Sequence, residues 1–503
     1  MLYPKTQPID LLSYKGLIKS LSGASLPEGA SPNLDGVEWF EGHIRRTRGL
    51  KSLSADMTGN PRLFFEYFGL TGTNRLVGIT DLEVAYFVSG VPAGSWTKVG
   101  DYIGVTKRQV FAAQYLNKLI FTDNENVVQV YEPDTIGALA GLSTISLTSA
   151  KLITNFYSYV LLANTVEGAV TNAWRVRWCD TGDPEKWNTG NAGFVDLVDK
   201  PGELTGLATL PDRIFAYKDR SIYGLSYVAR TDIFSPYLAH PSVGCLAPKS
   251  LVSVGDKHFF LGSDNIYSWD GRVADPIGDV LQPLLFGPSA IVDASQLALA
   301  QGVYLPRLQE YWLAVALTPD WPTYILRYHI PSKTWWARTT VDGVSCFGNI
   351  SDQRNTAWSG LVGTWAEQVG SWTSLKGVLQ DLRGVAVAQA SSVVRKLDWD
   401  NPYDAGTSYP TAEYQTQDFL FPRASRIKQY EVELKGGGSV EAFYSSNSGL
   451  TWTSLGSQSI TSDWEWYVWS VDKVLELCRF KLVLGSADIG VRKQSISAIE
   501  KRR

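Results

Sequence analysis

Short apolar runs broken by polar turns recur along most of this chain. The clearest unit is "RIFAYKDRSIYGLSY", residues 213–227, which reads as an apolar strand, a polar turn and an aromatic strand with partial alternation. The same shape appears in "RLVGITDLEVAYFVS" from Arg75, "KLIFTDNENVVQVYE" from Lys118 and "YVLLANTVEGAVTNAWRVRW" from Tyr159. It returns in "HFFLGSDNIYSWDG" from His258 and "YWLAVALTPDWPTYILRYHI" from Tyr311. Successive starts are 43, 41, 54, 45 and 53 residues apart, the spacing of four-stranded propeller blades. A further copy, "AVAQASSVVRKLDWD", begins at Ala386. The 75-residue gap before it leaves room for an irregular blade or insertion around "GTWAEQVGSWTSL". One unit alone exposes an apolar face, so neighbours must stack around an axis to cover it. The expected architecture is all-β: a six-bladed β-propeller, with seven blades as the alternative count, followed by a C-terminal β-sandwich. Two stacked sandwiches are the competing arrangement, because the period is not strict.

The pattern changes after the turn-rich linker "WDNPYDAGTSYP", residues 399–410. Beyond it come alternating strands, among them "IKQYEVELKGG", "SVEAFYSSNSGLTW", "WEWYVWSV" and "CRFKLVLG". In "YEVEL", Tyr430, Val432 and Leu434 point one way and Glu431 and Glu433 the other, as in a half-buried antiparallel strand. The expected divisions are an N-terminal extended arm and leading segment at 1–50, the propeller at 51–400 and the sandwich at 401–503. Helix is scarce; "SYKGLIKSL", near the N-terminus, is the one modest candidate.

Composition sharpens the all-β reading. The 503 residues include 18 Trp, 24 Tyr and 19 Phe beside 45 Gly and only 2 Met, which suits many short aromatic strands joined by tight turns. A net charge of −4 gives no general attraction to nucleic acid or an anionic membrane. Cys179, Cys245, Cys346 and Cys478 lie at least 66 residues apart and read as reduced core thiols. Prolines in "MLYPKTQPIDLLSYKG" argue against a signal peptide, and the longest apolar stretch is broken by Pro283, Pro288, Asp293 and Gln296. A soluble chain is expected.

Candidate chemistry is sparse. "SSNSGLTW", Ser445 to Trp452, matches the Asp-box pattern of sialidases with Asn447 in the acidic place. It stands alone and in the sandwich, so it reads as a hairpin whose short polar side chains bond nearby backbone. The four histidines, His43, His240, His258 and His329, form no paired ligand motif, and His258 and His329 read as packed or surface residues. "DNENVVQVYEPD" from Asp123 lacks the Gly and Glu of an EF-hand and reads as a turn. "GGG" at 436–438 joins strands rather than opening a phosphate-binding helix, and Trp269-Asp270 is a weak WD signature. "HIRRTRGLKS", 43–52, is the densest basic run; a solvated strand and turn is expected, with phosphate or acidic-partner contact as the alternative. The terminal "KRR" reads as a frayed tail. No catalytic, cofactor-binding or metal-binding residue is assigned, and no cofactor is expected.

Three passages together resemble the tail-hub, or nozzle, proteins of short-tailed bacteriophages, also called packaged-DNA stabilisation proteins. "LPEGASPNLDGVEWFEGHIRRTRGL", 26–50, is similar to the family's leading segment, with its G-x-I-R-x-R-x-G-like turn. "WRVRWCDTGDPEKWNTGNAGFVDLVDKPGELTGLATLPDRIFAYKDRSIYGLSYV", followed by "HPSVGCLAPKSLVSVGDKHFFLGSDNIYSWDG", looks like its mid-propeller blades. "VVRKLDWDNPYD" then leads into a terminal sandwich holding "YEVELKGG", "SSNSGLTW" and "RFKLVL" in the family's order. The passages span roughly half the chain, while 351–384 departs from the pattern. The resemblance implies a non-enzymatic virion protein, assembled in the host cytoplasm into the tail. It would form a ring, commonly a hexamer, that extends the DNA channel below the portal and adaptor and retains packaged DNA. Its expected partners are further copies of itself, the head-to-tail adaptor, and needle, plug, spike or fibre proteins, with double-stranded DNA passing through and no stable membrane association. A carbohydrate-binding or glycan-cleaving propeller, acting as a receptor-binding or depolymerase-like protein, is the alternative.

Overall fold

The computed structural model describes residues 5–9, 15–40, 42–53, 57–70, 74–88, 95–102, 109–228, 233–287, 290–318, 321–340, 343–352, 382–389, 393–397, 412–485 and 489–500. Most of the divergent segment at 351–384, the linker at 399–410 and the terminal "KRR" lie outside the described residues.

Seven four-stranded antiparallel sheets follow one another along the chain. Six are built from consecutive strands: blade one at 61–101, two at 111–138, three at 147–196, four at 204–240, five at 252–276 and six at 301–339. These meet the expected count of six. The seventh, which stood as the alternative, is composite: Val344–Asp352, Leu382–Gln389 and Val394–Leu397 take Leu50–Ser52 as their fourth strand. The first strand of each blade lies beside the first strand of the next, and that of blade seven returns to that of blade one. Each repeat noticed in the sequence is the middle hairpin of one blade, such as Arg213–Lys218 with Ile222–Tyr227. The middle strands are buried on both faces and therefore carry the continuous apolar signal.

An apolar core fills each gap between blades, and the one between blades five and six is continuous with that of the terminal sheet. Tyr67 and Val77 meet Leu119 and Tyr131 between blades one and two, and Met57 and Phe64 meet Cys346 and Val394 where seven meets one. Closure through the borrowed strand Leu50–Ser52 leaves no open seam between the two ends of the propeller.

Ten further strands form a sheet system with central order Thr453–Ile460, Gly438–Ser445, Glu465–Leu484, Phe419–Lys435, Gly490–Glu500, His43–Arg46, Val37–Phe40. Lys5–Ile9 and Leu34–Asp35 also pair into it, through Gly490–Glu500 and Glu413–Gln415. The leading segment is thus woven into the terminal sheet and then into the last blade. Tyr430, Val432 and Leu434 are fully buried. Glu431 instead accepts from Ser495 and Ser497 on the opposite side, as the alternation predicts.

"SYKGLIKSL" is not a helix. Gly16–Leu17 is a short strand parallel to Ala30–Ser31. Gly16 has φ +74 and lies so close to the Trp335 backbone that a Cβ there would sit 2.7 Å from the Trp335 carbonyl oxygen. Tertiary packing against blade six overrides the local helical pattern. The one short α-helix among the described residues is Gln282–Leu285.

Candidate interaction face

The turns between the first and second strands of blades one, two and three all lie on the same face of the ring. Their tips are apolar: Phe68 is 49% exposed, Leu70 71%, Leu116 59% and Tyr157 63%. On blade four, Tyr227 ends the third strand and Val228 follows it, and the Tyr227 ring is 5.7 Å from that of Tyr157. The result is an apolar stripe across four successive blades. Leu116 and Tyr157 hold φ of 51° and 49°, a left-handed conformation that costs a bulky side chain about 1 kcal/mol or more. Gly or Asn would meet that turn geometry with less strain. Two large apolar groups are therefore displayed at a local conformational cost.

The tips are tied together. Gln114 Nε2 donates to the Phe68 carbonyl at 2.6 Å and its Oε1 accepts from the Phe68 amide at 3.0 Å. Asn117 Oδ1 accepts from Tyr67 Oη at 2.8 Å and from the Leu70 amide at 3.3 Å, while Asn155 Nδ2 donates to the Gln114 carbonyl at 2.9 Å. These bonds join blades one, two and three at the stripe itself, so it is presented as a fixed surface. The sequence reading missed it. The available signal was an apolar residue at a turn position, as in the "YLNK" and "FYSY" turns.

A second organised region is internal. Arg327 of blade six donates to Glu310 Oε2 at 2.9 Å and to Glu38 Oε2 at 2.8 Å, and Glu38 also accepts from Arg45. Burial would raise the Glu38 carboxyl, but the Arg327 and Arg45 guanidiniums hold it below its usual range. Glu310, with Glu38 nearby, is pushed up by burial. This buried quartet fastens the terminal sheet to the propeller, and an apolar core running from Phe259 and Tyr311 to Ile44 and Tyr430 surrounds the joint. The basic run at 43–52 is accordingly not solvated: Arg45 and Arg46 are buried, and Arg46 donates to the Leu484 carbonyl. Its charges compensate internal acceptors that water would otherwise have to satisfy.

The propeller axis is bridged at the mouth where the inner strands begin. Lys249, just before blade five, donates to the Val110 carbonyl at the start of blade two. Gln109 Nε2 donates to the Ala298 carbonyl before blade six at 3.1 Å. Lys249 also stands 4.3 Å from the Phe111 ring centroid, and burial lowers its ammonium to about 8.

The motifs marked in the sequence take structural positions. Ser445 Oγ accepts from the Asn447 and Gly449 amides, and Asn447 Oδ1 accepts from Ser445 Oγ and the Thr451 amide. Gly449 has φ +87, so the Asp-box-like sequence is a turn satisfied by its own atoms. His258 is buried; its Nε2 donates to the Thr209 carbonyl, which leaves Nδ1 to accept from Tyr217 Oη at 2.6 Å. Burial lowers it to about 4. His329 Nδ1 is 2.6 Å from Ser332 Oγ, and His43 packs edge-on against Trp464. Asp123 Oδ1 accepts from the Glu125 and Asn126 amides, closing the expected turn. Asp270 does the same for Arg272 and Val273. All four cysteines are free and buried. Among the described residues no group of His, Cys, Asp and Glu is arranged to hold a metal ion, and no helix is long and apolar enough to cross a membrane.

No family model matches this sequence, and no curated protein matches it. Among solved structures, the WD40 β-propeller domain of Doa1 is similar at 8% identity, over 69% of this chain and 97% of that one, with a TM-score of 0.40. The computationally designed Ika8 protein is similar at 10% identity, over 72% and 95%, with a TM-score of 0.38. A family 29 carbohydrate-binding module covers 18% of this chain and 62% of its own at 15% identity, with a TM-score of 0.15. None of these similarities bears on function.

Proposed function

We propose that this chain is a structural subunit of a phage tail hub, building a ring that continues the DNA channel and anchors distal tail parts. The observation that carries the reading is the apolar stripe across blades one to four, which suits contact with a neighbouring copy. Exposed apolar patches held on a rigid frame mark protein interfaces far more often than they mark empty surface. The bridged propeller axis fits the same reading, because the bore of such a ring lies between subunits rather than through each propeller. The stiff joint between sheet and propeller suits a part that must keep its angle under load. A chain with net charge −4 also lacks the cationic surplus that would hold passing DNA by its phosphates.

The experiment replaces both strained tips, Leu116→Glu with Tyr157→Glu. Both side chains are mainly exposed, so thermal unfolding should stay near wild type. In sedimentation velocity the wild-type protein should run as a ring and the double variant as a monomer, and only the wild type should join tail-less particles. A double variant that assembles as well as wild type would remove the stripe from the proposal. A wild-type protein that remains monomeric and never joins particles would defeat the hub reading itself.

A further inference from the structure

A cavity of about 310 Å³ opens between blades three and four, lined by Trp174, Val198, Lys200, Pro201, Gly202 and Lys218. Its walls are unusual for a loop junction. Trp174 is 40% exposed and Val198 62%, so a flat aromatic face and an aliphatic group meet solvent side by side. Gly202 has φ +97, and a Cβ there would fall 2.5 Å from Asp219 Oδ1, so the loop that shapes the cavity depends on a glycine.

Lys218 lies at the cavity with only 1% of its surface exposed. Its Nζ donates to the Leu197 carbonyl at 2.7 Å and the Lys200 carbonyl at 2.5 Å, two bonds for three donors. Tyr223 presents its ring 5.6 Å away. Among the described residues no carboxylate forms an ion pair with this ammonium, although Asp199 and Asp219 are close enough to influence it. Burial lowers its proton affinity, and the nearby Asp219 and Asp199 carboxylates only partly oppose this. A buried charge without an opposite partner is costly unless something compensates it. Lys200 adds a second cation at the rim.

We propose that this cavity binds a small ring-borne carboxylate, with the ring against Trp174 and the carboxylate towards Lys218 and Lys200. The walls fit either an acidic sugar or an aromatic acid: Trp174 and Pro201 supply the apolar face, and the lysines supply the counter-charge. The site does not depend on the hub reading, since it lies apart from the apolar stripe and needs one chain only.

Saturation-transfer NMR on the full chain tests this with four probes: D-glucuronate, benzoate, glucose and acetate. Glucuronate or benzoate should bind, and whichever binds identifies the source of the carboxylate. Glucose, which lacks the charge, and acetate, which lacks the ring, should each bind roughly tenfold more weakly or worse. Trp174→Ala changes a half-exposed side chain and should remove binding while leaving the fold intact. Lys218→Met should bring the acid down to the level of its neutral counterpart. Since Lys218 also ties down its loop, Lys200→Gln provides a milder change with an expected partial loss. Absence of binding by both acids at about 10 mM, weaker than the ordinary millimolar range, would overturn the proposal. So would equal binding of all four probes, or full retention by Trp174→Ala.

Discussion

His258 shows what a buried titratable side chain does in this molecule. It is held neutral between Tyr217 and the Thr209 carbonyl, with its folded pKa lowered to about 4. In the unfolded chain a histidine titrates at about 6.5, so its contribution to stability is present above that pH and is lost as pH falls from there to about 4. The unfolded state binds more protons in this window, and the loss is on the order of 3 kcal/mol. Urea unfolding across the window should show this slope in the wild type and a flatter one in His258→Gln. Arg327 makes a larger demand. Replacing it with Met strands the buried Glu310 carboxylate and leaves Glu38 with Arg45 alone, and about 3–5 kcal/mol of stability should be lost in denaturant titration. Removing Lys151, whose partner Glu203 is 56% exposed, should cost less than about 1 kcal/mol. The sequence placed His258 at the start of an apolar strand, as a packed or surface histidine, and the fold buries it. It could not reveal the Glu38–Arg327 pair, whose members are 289 residues apart and meet only in the tertiary fold.

Among the elements, the middle hairpins were legible because both of their faces are buried and their apolar signal is continuous. The terminal strands were legible for the opposite reason: one face carries polar side chains, Glu431 bonded to Ser495 and Ser497 and Glu433 to Arg492, and the alternation in "YEVEL" survives. Leu50–Ser52 was not legible as a blade strand. It is three residues long and finds its partners Arg395–Leu397 across almost the whole propeller, so nothing local marks it. Gly16–Leu17 misled for a related reason, since contact with blade six decides its conformation. The turn at Ser445 to Trp452 was read correctly from its small polar residues. Its Ser445 Oγ is a buried acceptor for two amides, so Ser445→Ala should cost about 1–2 kcal/mol, measured by chemical denaturation. Asn447→Asp should create no glycosidase activity, because the side chain serves the turn.

At the scale of the whole molecule, propeller and terminal sheet share one apolar core and the buried quartet, and strands from residues 5–52 enter both. The molecule is therefore one stiff body with a fixed apolar stripe. Calorimetry should show the two parts unfolding in a single cooperative transition; two well-separated transitions would argue against a shared core. The composition and repeat spacing made the propeller visible and the alternation after residue 410 the terminal β region, whereas the stripe became visible only once the turns of four blades were placed on one face. The central claim is that this stiff body builds a tail hub. Negative-stain electron microscopy of the purified protein, alone and added to tail-less particles, tests it most directly. Closed rings with a central bore that attach at the portal vertex of the particle are expected. Dispersed monomers that leave the vertex bare would contradict it.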